Sequence, residues 1–117
     1  MRTAPGAEYY FEEGCYITEL SNTAADEAVS IARARLQPGE KTRLHALLET
    51  AERYVILAGS GKVRVGEQQG PVDVGDVVLI PPGVPQNIEA DADAELVFLA
   101  ICSPRFKPGV YRDLEPK

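Results

Sequence analysis

The sequence has few of the residues that nucleic-acid-binding, membrane-spanning and disulfide-stabilised proteins need. Its 117 residues include one histidine, two cysteines and no tryptophan, and 18 acidic residues outnumber 12 basic ones, giving a formal net charge of −6. A negative chain without a basic block is a poor partner for nucleic acid and for anionic membranes. No run of residues approaches the roughly 18 apolar residues that a membrane-spanning helix requires. We therefore expect no nucleic-acid partner and no membrane partner.

The two cysteines, Cys15 and Cys102, lie far apart and form neither a metal-type spacing nor a disulfide framework. This usage predicts two reduced thiols in a cytoplasmic protein. The opening residues, MRTAPGAEYYFEEG, contain acids and no apolar core segment, which predicts that they are not a signal peptide. With 44% hydrophobic residues, the chain is long enough for one domain whose core needs no disulfide or metal.

Turn-forming residues recur at short intervals from residue 37 onward. They fall at Pro38-Gly39, Gly59–Gly61, Gly66–Gly70, Gly75-Asp76, Pro81–Pro85 and Asp91–Asp93. Short runs rich in β-branched or alternating apolar residues lie before and between them, at Cys15–Leu20, Arg53–Ala58, Lys62–Val65, Val77–Ile80 and Leu96–Ile101. Many short strands separated by regular turns predict an all-β sandwich or barrel.

Three segments leave alternatives open when only the pattern is considered. Residues 28–36, AVSIARARL, have the composition of a helix and the alternation of a strand. Residues 21–27 form a turn-rich loop in which Asp26-Glu27 is also a possible helix start. The aromatic run Tyr9–Phe11 fits either an edge strand or an arm that packs on another subunit.

The only histidine lies in a stretch with a recognisable spacing. It reads Gly39, five residues, His45, one residue, Leu47, four residues, Glu52, six residues, Gly59. A second spacing follows: Gly75, five residues, Pro81, one residue, Gly83, two residues, Gln86. Together the two stretches resemble the paired motifs of the cupin superfamily. Leu47 and Gln86 stand where the family has its second and third histidines.

The resemblance implies an all-β fold, a cupin jelly-roll barrel (double-stranded β-helix) in a single domain spanning residues 1–117. We expect an N-terminal arm at 1–13, the barrel at 14–103 and a C-terminal tail at 104–117 that crosses the surface, anchored by Phe106 and Tyr111. It also implies that residues 28–36 form a strand. A small-molecule ligand in the centre of the barrel and assembly into a homodimer are further expectations.

Side chains two apart in a strand share a face, so Arg43, His45 and Leu47 are expected to point one way. Glu52 and Tyr54 share a face on the following strand. The four-residue connection Leu48–Ala51 predicts that these two strands pair as a hairpin, which would bring His45 and Glu52 together. In cupins these faces look into the barrel.

The ligand set that the resemblance implies is His45, Glu52 and Gln86, with no ligand from Leu47. One imidazole nitrogen and two oxygens predict a weakened site for one divalent ion, manganese, iron, nickel or zinc. The alternative is a barrel without metal that acts as an isomerase- or epimerase-like enzyme, or as a non-catalytic sensor.

If the protein is an enzyme, Glu52 and His45 are the candidate catalytic acid or base. Arg43, Tyr54 and Leu47 are the candidate substrate contacts. Most of the candidate site residues also have a purely structural interpretation. His45 is a hydrogen-bonded structural or surface residue, Glu52 pairs with an arginine at the barrel rim, Gln86 binds a backbone carbonyl, Tyr54 only packs, and Arg43 is solvated.

Overall fold

The computed structural model describes residues 2–116, in which eleven β-strands form two antiparallel sheets. The strands are β1 (Tyr9–Phe11), β2 (Cys15–Ser21), β3 (Ser30–Leu36), β4 (His45–Leu47), β5 (Ala51–Ala58), β6 (Gly61–Val65), β7 (Gln68–Val72), β8 (Val77–Ile80), β9 (Gln86–Ala90), β10 (Leu96–Ser103) and β11 (Tyr111–Asp113). Within the described range, a single turn of 3-10 helix, Pro108–Val110, is the only helical element.

Each sheet combines strands from both halves of the chain. One sheet has the order β1-β2-β3-β10-β5-β8, and the other has the order β11-β4-β9-β6-β7. Strands distant in sequence, such as β3 and β10 or β4 and β9, are therefore direct neighbours. This arrangement is the jelly-roll barrel, and the all-β prediction is confirmed.

Alternating burial explains why these segments form strands between two layers. In β5, Glu52, Tyr54 and Ile56 are buried, whereas the residues between them are only partly buried. The same two-residue period runs through β3, which pairs along its length with β10 and includes the partners Ala34 and Phe98. The helical alternative for this segment is wrong, because pairing with β10 satisfies its backbone while its apolar side chains enter the core.

The apolar core fills the space between the sheets. Its most deeply buried members include Leu36, Ile56, Ile88, Leu96 and Phe98. Fully burying a side chain of this size stabilises the fold by about 1.5–3 kcal/mol relative to leaving it exposed. These side chains come from both sheets, so they hold the two layers together.

The first motif ends in Gly59, whose backbone conformation and packing exclude other residues. Its φ is +80°, and a Cβ at this position would lie 2.2 Å from the carbonyl oxygen of Glu95. Glycine alone adopts this conformation at no steric cost. The motif glycine thus permits the close approach of β5 to the segment that enters β10.

The predicted hairpin between the strands of His45 and Glu52 is wrong. β4 lies between β11 and β9 in the five-stranded sheet, and β5 lies between β10 and β8 in the six-stranded sheet. The short connection between them, in which Glu49 has a φ of 66°, passes from one sheet to the other. His45 and Glu52 still face the same interior, but they approach from opposite layers.

Both ends of the described chain join the sheets. β1 pairs with β2 as an edge strand, and the C-terminal tail contributes β11, which pairs with β4. The rings of Phe11 and Tyr111 lie 5.1 Å apart, and those of Phe11 and Phe106 lie 6.4 Å apart. The two termini therefore meet over the barrel interior. Homodimer formation stays a prediction.

Candidate functional site

A small cavity lies between the sheets, on the side where the two termini meet. Its volume is about 50 Å³, which is room for a few water molecules. Its lining is Tyr9, Phe11, Glu13, Ile17, Glu19, Ser30, Ala32, His45, Leu47, Glu52, Ala100, Cys102, Phe106 and Tyr111. Carboxyl groups, one imidazole and aromatic rings dominate this list.

His45 is held at both ring nitrogens. Its Nδ1 lies 2.6 Å from the carbonyl oxygen of Arg43, and its Nε2 lies 3.1 Å from Oε2 of Glu13. A carbonyl oxygen only accepts hydrogen bonds, so Nδ1 carries a proton. One further proton then lies between Nε2 and the Glu13 carboxyl group. The pair is either imidazolium with carboxylate or neutral imidazole with carboxylic acid.

Burial favours the neutral form of this pair. It raises the pKa of Glu13 to about 7, against a smaller lowering by a hydrogen bond with Cys15. It also lowers the pKa of His45, although the carbonyl of Arg43 and nearby carboxylates oppose this effect. A buried pair that shares one proton is poised to give or receive it near neutral pH.

The backbone places Glu13 at the imidazole. The amide of Arg43 donates to the carbonyl oxygen of Glu13 at 2.6 Å, so the turn after β1 packs against the segment that leads into β4. Gly14, with a φ of 107°, allows this approach. On another side, the ring of Tyr111 stacks on His45 at 5.3 Å between centroids. Both terminal segments thus position the histidine.

Glu52 ends a chain of buried hydrogen bonds. The hydroxyl of Tyr54 donates to Oε1 of Gln86 at 2.5 Å, and Nε2 of Gln86 donates to Oε1 of Glu52 at 2.8 Å. The other carboxylate oxygen faces the thiol of Cys102, with Sγ at 3.9 Å. Burial, followed by the charge of Glu13, raises the pKa of Glu52 to about 7.

The structure separates the predicted site residues into three groups. His45, Glu52 and Leu47 line the cavity. Gln86 and Tyr54 are fully buried and support Glu52 through their hydrogen bonds. The roles proposed for these residues as ligands, catalysts or substrate contacts stay predictions.

Arg43 belongs to the third group. Its guanidinium bonds Oδ2 of Asp113 at 2.9 Å and the backbone carbonyls of Glu115 and Pro116. The arginine therefore holds the C-terminal tail. Arg53 donates instead to the hydroxyl of Ser103, so neither arginine forms the predicted rim pair with Glu52.

The sequence pattern did not reveal Glu13 as a site residue. Glu13 follows another glutamate in a polar segment that was expected to be an arm, and nothing local distinguishes the buried carboxyl from an exposed one. The following Gly14 was the only available signal of a close backbone approach. Tyr111 was expected as an anchor of the tail, and its contact with His45 is a finding of the structure.

The residues present do not fit a divalent metal ion in this arrangement. Within residues 2–116 no group of three or more His, Cys, Asp or Glu side chains is placed to hold one. The predicted donors are directed at protein partners: the amide oxygen of Gln86 accepts from Tyr54, and Nε2 of His45 faces Glu13.

Two facing antiparallel sheets, with long-range strand neighbours and a polar cavity between them, define a double-stranded β-helix barrel. The sequence comparison agrees with this architecture, because the cupin domain family matches residues 32–102, more than half of the chain. This protein belongs to the cupin family. The family resemblance inferred from the two motifs is confirmed.

Known proteins extend the comparison over nearly the whole chain. An uncharacterized protein of Methanocaldococcus jannaschii is 33% identical over 109 residues, which cover 92% of this chain and 85% of the relative. A predicted oxalate decarboxylase from Thermotoga maritima is 26% identical, with a TM-score of 0.76 over 83% of this chain and 91% of that one. The Streptomyces nucleoside dehydratase Pac13 is 14% identical, with a TM-score of 0.79 over 93% and 84%.

The solved structures differ in what their names say they do, and at this level of identity the Streptomyces protein supports the fold alone. Cupin barrels therefore include enzymes, but the scaffold does not identify a reaction. No helix among the described residues has the length and apolar character to cross a membrane.

Proposed function

We propose that this cupin transfers protons on a small polar molecule bound in its cavity, as an isomerase- or epimerase-like enzyme that needs no metal. The observation that carries the proposal is the His45–Glu13 pair, whose hydrogen bonds leave one proton to be shared between Nε2 and the carboxyl group. Glu52 supplies a second titratable group to the same cavity from the other sheet.

The two groups suit complementary roles. Glu52, with a pKa raised to about 7, is a base of the right strength to remove a proton from a carbon next to a carbonyl group. The Glu13–His45 pair holds a proton at the imidazole, which β4 presents from the opposite layer, and returns it to the substrate. Groups on two layers can remove a proton from one face of a bound molecule and add a proton to the other, which is what epimerisation requires.

The hydrogen-bond chain behind Glu52 fixes its orientation. Gln86 holds one carboxylate oxygen and is itself held by Tyr54, and both residues are almost fully buried. Gln86, at a position where the family has a histidine, therefore acts here as a support for the base. Such preorganisation lowers the cost of placing a charged group correctly for reaction.

Access to the cavity involves the aromatic cover formed by Phe11, Phe106 and Tyr111. The ring of Phe11, from the N-terminal segment, contacts the rings of both Phe106 and Tyr111 from the C-terminal segment. A cavity of about 50 Å³ is smaller than typical ligand sites, so substrate entry requires that the cover moves. When the cover closes again, it keeps water away from the reacting groups.

The metal-independent part of the proposal is tested by calorimetry. Manganese, iron(II), nickel and zinc salts are titrated into chelator-treated protein and into the His45→Ala variant. We expect no stoichiometric binding that depends on His45. Tight binding that the variant abolishes would contradict the proposal and favour the weakened metal site that the family resemblance implied.

The proton-transfer part is tested by hydrogen exchange in heavy water. Chelator-treated protein is incubated with a panel of small hydroxy-carbonyl and amino-carbonyl compounds, and deuterium incorporation next to the carbonyl is followed by NMR. We expect exchange in the wild type and a loss of roughly 100-fold or more in Glu52→Gln and Glu13→Gln. Glu67→Gln, on the exposed surface, is the matched control and should keep the wild-type rate. Equal rates in all variants would contradict the assigned roles.

A further inference from the structure

The charges of the residues that line the cavity indicate which charge its ligand carries. Building on the proposed function, we propose that the molecule bound in the cavity carries a protonated amine, which the carboxylate of Glu52 recognises. The proposal rests on the charges of the lining, on the partners of Glu52 and on the aromatic cover.

Among residues 2–116, the lining has three carboxyl groups and no lysine or arginine. These are Glu13, Glu19 and Glu52. Two arginines are close to His45 and Glu52 in sequence, but their side chains bond other residues. Arg43 donates to Asp113, and Arg53 donates to Ser103. A ligand with a carboxylate or phosphate group would meet like charge without a compensating cation, which disfavours anions as a class.

Glu13 and Glu52 differ in how their charge is balanced. As long as Glu13 and His45 hold their shared proton, that pair carries no net charge. Within the described part of the chain, Glu52 has only neutral hydrogen-bond partners, the amide of Gln86 on one oxygen and the distant thiol of Cys102 on the other. The residue is 8% exposed, so its carboxylate is buried without a counter-charge.

A buried carboxylate without a cation is costly, and a cationic ligand would remove that cost. An ammonium group supplies positive charge together with N–H donors. One of these donors would satisfy the Glu52 oxygen that now has only a weak sulfur partner at 3.9 Å. A hydroxyl group would supply a donor without the charge.

The aromatic cover offers the remaining contacts of such a ligand. Phe11, Phe106 and Tyr111 present rings at the cavity, and ring faces attract ammonium groups. The buried hydroxyl of Tyr111 has no hydrogen-bond partner in residues 2–116. A ligand N–H group could pair with this oxygen, which otherwise stays unsatisfied.

Three probes with one carbon skeleton test the proposal: isobutylamine, isobutanol and isobutyrate, which are cationic, neutral and anionic at neutral pH. Each is titrated into the wild-type protein, and amide chemical shifts of the cavity residues are followed by NMR. We expect the amine to bind at least about 10-fold more tightly than the alcohol, and the acid to show no saturable binding.

Variants identify the group responsible. Glu52→Gln should reduce the preference for amine over alcohol to less than about 3-fold, and Glu67→Gln should leave it unchanged. Alcohol binding that shifts the same cavity residues in Glu52→Gln shows that the variant is folded, so a lost preference then reports on charge.

Alcohol binding as tight as amine binding, saturable isobutyrate binding, or no cavity binding by any probe overturns the amine proposal. The heavy-water experiment decides proton transfer separately. If hydroxy-carbonyl compounds incorporate deuterium as fast as their amino counterparts, the proposed proton-transfer function is supported and the proposed selectivity for amines is wrong.

Discussion

The two ends of the barrel interior are made by the same strands and have opposite chemistry. In β5, Ile56 belongs to the closed apolar core, and Glu52, four residues earlier on the same face, lines the cavity. In β9, Ile88 packs in the core, and Gln86, two residues earlier, supports Glu52. Alternation decides which side chains point inward, and position along the strand decides which end they reach.

The difference shows how a small barrel tolerates buried polar groups. At the apolar end the buried hydroxyl of Thr42 needs only the backbone of Ile88, whose amide donates to it at 3.0 Å. At the cavity end Tyr54, Gln86 and Glu52 satisfy one another in series, and His45 bonds a backbone carbonyl and Glu13. A buried polar group without a hydrogen-bond partner destabilises the fold. Each polar residue at this end therefore fixes the orientation of the next one in the series.

The largest expected effect comes from truncating the apolar end. Ile88→Ala removes a fully buried side chain and should lower the free energy of unfolding by about 2–5 kcal/mol, because it leaves a cavity in a packed core. Leu47→Ala, next to a cavity that already exists, should cost about 2 kcal/mol or less. Urea denaturation followed by circular dichroism measures both. A larger loss for Leu47→Ala would mean that the cavity end carries more of the packing.

An effect of intermediate size is expected from pH at the polar end. The pKa values of Glu13 and Glu52 are raised in the folded state from 4.5 to about 7. Between these values the folded chain binds more protons than the unfolded chain. The stabilisation is complete below about pH 4.5 and is lost as pH rises through about 7, by roughly 3 kcal/mol for each group.

Glu52→Gln should remove the contribution of Glu52 to the pH dependence of the unfolding free energy. The control Glu67→Gln should leave that contribution in place. The lowered pKa of His45 acts in the opposite direction below about pH 6.5. Both variants keep His45, so their difference from the wild type isolates the glutamate. Unfolding free energies measured from about pH 4.5 to about pH 8 test this, and identical slopes in wild type and Glu52→Gln would refute it.

The smallest expected effect is at the aromatic cover. Tyr111→Phe removes a buried hydroxyl that has no hydrogen-bond partner among the described residues and keeps the ring that stacks on His45. We expect a change in stability of less than about 1 kcal/mol, neutral or slightly favourable. Amine binding should weaken, whereas isobutanol binding should not. A stability loss well above 1 kcal/mol would show that the hydroxyl has a partner in solution.

Two errors of the sequence interpretation have local causes. The short connection after Leu47 has the length of a hairpin loop, but β4 and β5 find their partners in different sheets. Residues 66–70 contain glycines and were interpreted as a turn, whereas strand β7 begins at Gln68 and includes Pro71. β7 is an edge strand, and such a strand accommodates glycine and proline because one side has no strand to bond.

The sequence by itself determined the barrel and much of its interior. The two motif spacings and the two-residue alternation predicted a cupin and directed His45 and Glu52 inward, since both signals are local and repeat along each strand. The tertiary structure alone decided that Glu13 and Tyr111 meet at His45 and that Gln86 turns its amide toward Glu52. These contacts join residues more than 30 positions apart, and no local pattern records which distant partner will satisfy a buried polar group.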